Sequence, residues 1–99
     1  MKVRATGRAK REIARAALWW SKNRPGAPLL FLDELEAAER HLCTAPDSGQ
    51  IYGYRKNRLI RRLLLEKTEY HLYFSVNRKT RVIMLHSVWG ARRGRGPKP

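Results

Sequence analysis

The chain has 99 residues, 42% of them hydrophobic, and carries 22 Lys and Arg against 8 Asp and Glu, a formal net charge of +14. That length suits a single domain, residues 1–99, with one modest core. It holds no apolar run of the roughly 18–20 residues a membrane span needs, no uninterrupted apolar stretch of a secretory signal in "MKVRATGRAKREIARAALWW", and one cysteine, Cys43, which alone closes no disulfide and holds no metal.

A cytoplasmic protein with no cofactor, no metal and no membrane contact is therefore expected. The charge is uneven. Residues 1–50 carry nine Lys/Arg and six acids, net +3, whereas residues 51–99 carry thirteen and two, net +11. Self-repulsion at that density opposes compaction, so an acidic protein or polyanionic partner is expected to relieve it.

Residues 2–5 read as a short first strand. Thr6 can cap the helix that follows, although Ala9 denies it a capping box. Residues 7–23 place Ala9, Ile13, Ala16, Ala17 and Trp20 on one apolar stripe, with Arg8, Arg11, Arg15 and Lys22 on another face. Asn23-Arg24-Pro25-Gly26 stops this helix. Pro28 suits the first turn of a second helix, ending near Leu42 or Cys43, with Leu32, Leu35, Ala38 and Leu42 as its core stripe, widened by Phe31. Cys43 falls at helical spacing and reads as packing. Asp33, Glu34, Glu36 and Glu39 sit in the first turns of this helix, where its dipole favours them. Either they form a solvated face or they meet the cationic side of the first helix. His41, near the helix end, carries no further expected role.

Residues 44–50 are loop by composition, and "IYGYRKNR" is ambiguous. Residues 59–65 read as a mostly apolar strand. Residues 70–76 alternate cleanly, with Tyr70, Leu72, Phe74 and Val76 on one face and His71, Tyr73 and Ser75 on the other. Residues 81–89 form the last strand. The fold class is α+β: a helical hairpin packed on a mainly antiparallel sheet, in the order β-α-α-β-β-β.

A two-residue turn at Arg78-Lys79 would place Tyr73 opposite Met84 and His71 opposite His86. A second such turn at Lys67-Thr68 would place Leu64 beside His71 and Arg62 beside Tyr73, although "EKTE" is not a preferred hairpin turn. The sheet face away from the helices would then gather Arg62, His71, Tyr73 and His86. Two histidines beside arginines are a candidate set for acid–base cleavage of an RNA phosphodiester. Ordinary half-exposed strand histidines are the plainer alternative. No P-loop, GxGxxG, paired metal-ligand spacing or Gly-x-Ser-x-Gly elbow occurs.

The segment "IRRLLLEKTEYHLYFSVNRKTRVIMLHSVWGARRGRGP" resembles the C-terminal half of ParE-type toxins of the RelE/ParE superfamily. Arg61-Arg62-Leu63, Tyr70 to Phe74 and Val88-Trp89-Gly90-Ala91-Arg92-Arg93 carry the resemblance, and the preceding strand and helices agree more loosely. It implies the toxin of a bacterial type II toxin–antitoxin pair, neutralised by an acidic ParD- or RelB-like antitoxin and touching DNA only through it. ParE-like members inhibit DNA gyrase. RelE-like members are ribosome-dependent mRNA endoribonucleases that need a His or Tyr near the C-terminus. Here Arg93 is followed by Gly94-Arg95-Gly96-Pro97-Lys98-Pro99, with neither, so the resemblance implies a gyrase inhibitor rather than an enzyme.

If the chain is an RNase, its expected set is His71, His86, Arg62 and Arg92. The expected antitoxin contacts are Leu18, Trp19 and Leu30, off the core stripes, with Arg62, Tyr73, Arg92 and Arg93. Target contact is expected from Trp89, Arg92, Arg93 and Arg95 in the basic C-terminal segment 90–99, whose arginines can grip carboxylates bidentately.

Overall fold

The computed structural model describes residues 1–93, 96 and 97. Its elements are β1 (Lys2–Ala5), α1 (Gly7–Asn23), α2 (Leu30–Thr44), β2 (Gln50–Arg55), β3 (Arg58–Leu65), β4 (Tyr70–Asn77) and β5 (Val82–Gly90), closed by a 3-10 turn at Ala91–Arg93. The strands form one sheet in the order β1-β5-β4-β3-β2, antiparallel except for the parallel β1–β5 pair. This is the expected α+β architecture with one further strand. That strand, β2, comes from the ambiguous "IYGYRKNR", where Gly53 and an irregular pairing between Ile51 and Gly53 mask its alternation. No helix among the described residues is long and apolar enough to cross a membrane.

The helices form from capping and apolar spacing. The Thr6 hydroxyl accepts the Ala9 backbone N–H at 3.1 Å, supplying the start of α1. Ala9 and Ala16 are buried, and Ile13, Ala17 and Trp20 pack beside them. α2 begins at Leu30, beyond Pro28, and buries Phe31, Leu35, Ala38 and Leu42, an i, i+4, i+7, i+11 stripe. Leu32, expected in that stripe, is instead 40% exposed. Phe31 takes the inward position and meets Tyr70 edge to face, with ring centroids 5.0 Å apart.

Among the described residues no ion pair joins an acid of α2 to the cationic side of α1. Glu36 pairs with Arg40 on its own helix, as Glu12 pairs with Arg8 on α1. Glu34 is neither solvated face nor helix–helix contact. Its carboxylate accepts the Lys67 N–H at 2.7 Å, the Thr68 N–H at 2.9 Å and the Thr68 hydroxyl at 2.7 Å. It ties α2 to the β3–β4 connection and satisfies donors that the tight turn leaves over.

The β3–β4 register agrees with expectation: Leu64 pairs with His71 and Arg62 with Tyr73. The β4–β5 register does not. Asn77 pairs with Val82, so the loop holds four residues, Arg78 to Arg81, rather than two. The Asn77 side-chain oxygen accepts the Lys79 and Thr80 N–H groups, an Asx turn that widens the connection. Ser75 therefore faces Met84. A bulge between Tyr73 and Phe74 then sets Tyr73 against Ser87 and His71 against Trp89. The Glu12 carboxylate fills the bulge, accepting the Ser87 hydroxyl at 2.8 Å and the Val88 N–H at 3.1 Å.

Lys56 and Asn57, both at positive φ, make the two-residue β2–β3 turn. Gly49, at φ +85, leads into β2 where a Cβ would lie 2.2 Å from the Arg62 carbonyl oxygen, so only glycine fits.

Candidate functional site

The face away from the helices is built by the inner strands. Tyr73 is 2% exposed, with Tyr52 edge to face against it at 4.7 Å. Arg62 stands over the Tyr52 ring at 5.4 Å, beside Tyr73. Burial pushes the Tyr73 hydroxyl pKa up, partly offset by Arg62. His71 lies 6.0 Å from Tyr73, and burial, then the Arg62 charge, lowers its pKa.

The chain returns over this cluster. The Tyr52 hydroxyl donates to the Pro97 carbonyl. A Cβ on Gly96 would come within 2.4 Å of the Tyr52 hydroxyl oxygen and 2.7 Å of that of Tyr73. Beside it, Pro97, Tyr52, Ile60, Tyr73 and His86 line a cleft of about 380 Å³, with Arg8 and Arg55 at its margins. Sequence reasoning missed Tyr52 and the Gly96-Pro97 contact, since nothing in "IYGYRKNR" foretold which face its tyrosines take.

The expected histidine pair does not assemble. His71 is opposite Trp89, while His86 sits at the bulge with its Nε2 2.7 Å from Ser75 Oγ. Burial, then Arg58 and Arg55, lowers the His86 pKa, so its neutral form is favoured near neutrality. Arg92 is also elsewhere. It pairs with Glu69 at 2.7 Å, in a groove with Trp19, Trp20 and Arg24. The set His71, His86, Arg62 and Arg92 therefore splits into three places.

The expected antitoxin residues split as well. Leu18 and Trp19 are 55% and 44% exposed, but Leu30 is partly buried. Leu29, at 60%, and Leu32 are the exposed leucines at that end of the hairpin. The Arg24 guanidinium stacks at 5.1 Å over Trp19 and 5.8 Å over Trp20. Arg62 and Tyr73 lie across the sheet from this patch, and Tyr73 is covered.

Of the expected target contacts, Trp89 is half-buried beneath the Arg8 guanidinium, 5.8 Å from its ring. Arg93 closes the 3-10 turn, and Arg95 lies outside the described residues. No cluster of His, Cys, Asp and Glu able to hold a metal ion occurs among the described residues.

Among solved structures, the chain is similar to one of the "Chromosomal ParDE TA system from P. aeruginosa". The TM-score is 0.69 at 15% identity, over 93% of this chain and 97% of that one. The fold is thus ParE-like, as the residues of the C-terminal half implied. No protein-family model matches the sequence, and no curated protein does.

Proposed function

We propose that this chain is the toxin of a type II toxin–antitoxin pair, neutralised by an acidic cognate antitoxin, and that the free toxin inhibits DNA gyrase. The observation that carries the reading is the similarity to a chain of a ParDE toxin–antitoxin system over almost the full length of both. Surface chemistry supports it. Leu18 and Trp19 of α1 and Leu29 and Leu32 at the start of α2 are exposed, and Arg24, Lys67 and Arg92 line the tryptophan groove. An amphipathic acidic segment meets both needs, laying apolar anchors on the leucines and carboxylates on the rim. Arg62 and Arg93 are the further cations proposed for antitoxin contact, and Trp89, Arg92, Arg93 and Arg95 for the target.

Gyrase inhibition is favoured over mRNA cleavage because two-histidine acid–base catalysis needs both rings within reach of one phosphodiester. Here His71 and His86 occupy different rows of the sheet, and Ser75 engages His86. Incubation with gyrase and relaxed plasmid is expected to block supercoiling, and a translating ribosome extract to leave mRNA intact. Position-specific mRNA cuts, reduced about 10²-fold or more by His71→Ala, would replace this reading with the ribonuclease one. The antitoxin surface is tested separately. Trp19→Ala, in a folded protein, is expected to weaken antitoxin binding, and unchanged affinity would remove this residue from the site.

A further inference from the structure

At the end of the sheet remote from Gly96 and Pro97, the same open face forms a cationic trough of about 670 Å³. Arg4 of β1 stands on one wall. Lys56 and Arg58, from the β2–β3 hairpin, stand on the other. Lys79 of the β4–β5 loop closes one end. None of these four forms an ion pair among the described residues, whereas their neighbour Arg78 is held by Asp47. Uncompensated cations gathered from three separate parts of the chain are costly to hold together, so a negatively charged occupant is the natural relief.

The shape selects among anions. From β1 to β3 the sheet spans three interstrand gaps, about 14 Å across at ~4.8 Å each. An α-helix with side chains is about 10–12 Å in diameter and fits that width. The floor between the walls holds Met84 and Val82 of β5 beside Ser75 and Asn77 of β4, an apolar strip flanked by two polar side chains and not a plane of rings. No aromatic side chain lines the trough, so it offers no stacking for bases. We infer that this trough docks an amphipathic acidic α-helix of a partner protein. Its apolar stripe lies on Met84 and Val82, and its flanking carboxylates meet Arg4 on one side and Arg58 and Lys56 on the other. The carbonyl end of the helix dipole points to Lys79, which fixes the direction of the docked helix. This surface is across the sheet from the hairpin patch and stands independently of it.

The test is direct binding by fluorescence anisotropy. The probe is a labelled peptide of about 18 residues, roughly 27 Å long as a helix, with leucines at i, i+4 and i+7 and glutamates on both flanks. A scrambled peptide of the same composition and a single-stranded oligonucleotide of matched charge are the comparisons. The designed peptide is expected to bind and to gain helical circular dichroism. Arg4→Glu with Arg58→Glu, both exposed positions, is expected to weaken it at least about tenfold. Trp19→Ala is expected to leave this binding unchanged. Met84→Gln, which keeps every charge, is expected to weaken the peptide severalfold and the oligonucleotide not at all. Equal binding of the scrambled peptide, tighter binding of the oligonucleotide, or indifference to both the charge reversal and Met84→Gln would overturn the inference. Loss of peptide binding in Trp19→Ala alone would move the site to the hairpin and overturn it as well.

Discussion

Replacing Glu34 by Gln isolates the contact that fastens the second helix to the sheet. The substitution keeps the side-chain shape but turns one acceptor oxygen into a donor. Three donors currently converge on the carboxylate: Lys67 N–H, Thr68 N–H and Thr68 O–H, all within 2.9 Å. A hydrogen bond to a charged acceptor contributes about 1.5–3 kcal/mol, and a buried donor left unpaired costs about 1–3 kcal/mol. The three do not count equally. Thr68 is 6% exposed, so its donors have no water to turn to, whereas Lys67 is exposed and water replaces its partner. Most of the loss therefore belongs to Thr68, and the net destabilisation is about 2 kcal/mol. At about 4–8 °C per kcal/mol for a domain of this size, Tm should fall by roughly 8–16 °C. Urea denaturation followed by far-UV circular dichroism measures the free-energy loss, and a thermal melt the shift in Tm. Glu66→Gln, an exposed acid in the same connection, is the matched control and should stay within about 0.5 kcal/mol. If Glu34→Gln also stays within that range, the carboxylate does not organise the turn and the reasoning fails.

Further expectations follow from the bulge, the terminal contact and the histidines. Glu12→Ala strips the acceptor from Ser87 and Val88 in the β5 bulge and should cost about 2 kcal/mol by the same denaturation assay. Gly96→Val should lift the terminal segment from Tyr52 and Tyr73, seen as faster limited proteolysis of the C-terminus with the sheet intact; unchanged cleavage would show that the tyrosines simply turn aside. His86 has a folded pKa below its unfolded value of about 6.5, so the unfolded chain takes the proton first as pH falls. Stability should thus be full above about pH 6.5 and decline below it. His86→Gln should flatten that decline in urea midpoints between pH 7.5 and 5.5, with His71 supplying the part that remains.

Local signals were legible where one period or one cap decides the outcome. Thr6, the apolar stripe of α1 and the alternation of β4 each state a face directly, and the structure uses those faces. The β3–β4 register was readable because Arg62 and Tyr73 follow from the two alternations once the connection is centred on Lys67-Thr68. The failures come from offsets of one or two residues that composition does not reveal. A loop of four residues in place of two, together with the bulge at His86, moves His71 from His86 to Trp89. In α2 the core stripe keeps Phe31 but not Leu32, and Leu29, just before the helix, is exposed where Leu30 is partly buried. The cationic trough was invisible because Arg4, the Lys56–Arg58 hairpin and Lys79 are distant in the chain and meet only through strand order.

That strand order also dictates a sequence of events. β1 hydrogen-bonds to β5 alone, pairing Lys2 with Val82 across 80 positions, while the other strand pairs close through nearby turns. Closing so long a loop costs about 2 kcal/mol more entropy than closing one a tenth as long. Pairing of the first four strand residues must therefore wait for the last strand, late in folding. Until then Arg4 has no wall to form and the trough does not exist. A chain interrupted before Val82 lacks both the strand that α1 packs on, with Ile83, Leu85 and Val88 of the core, and one side of its basic face.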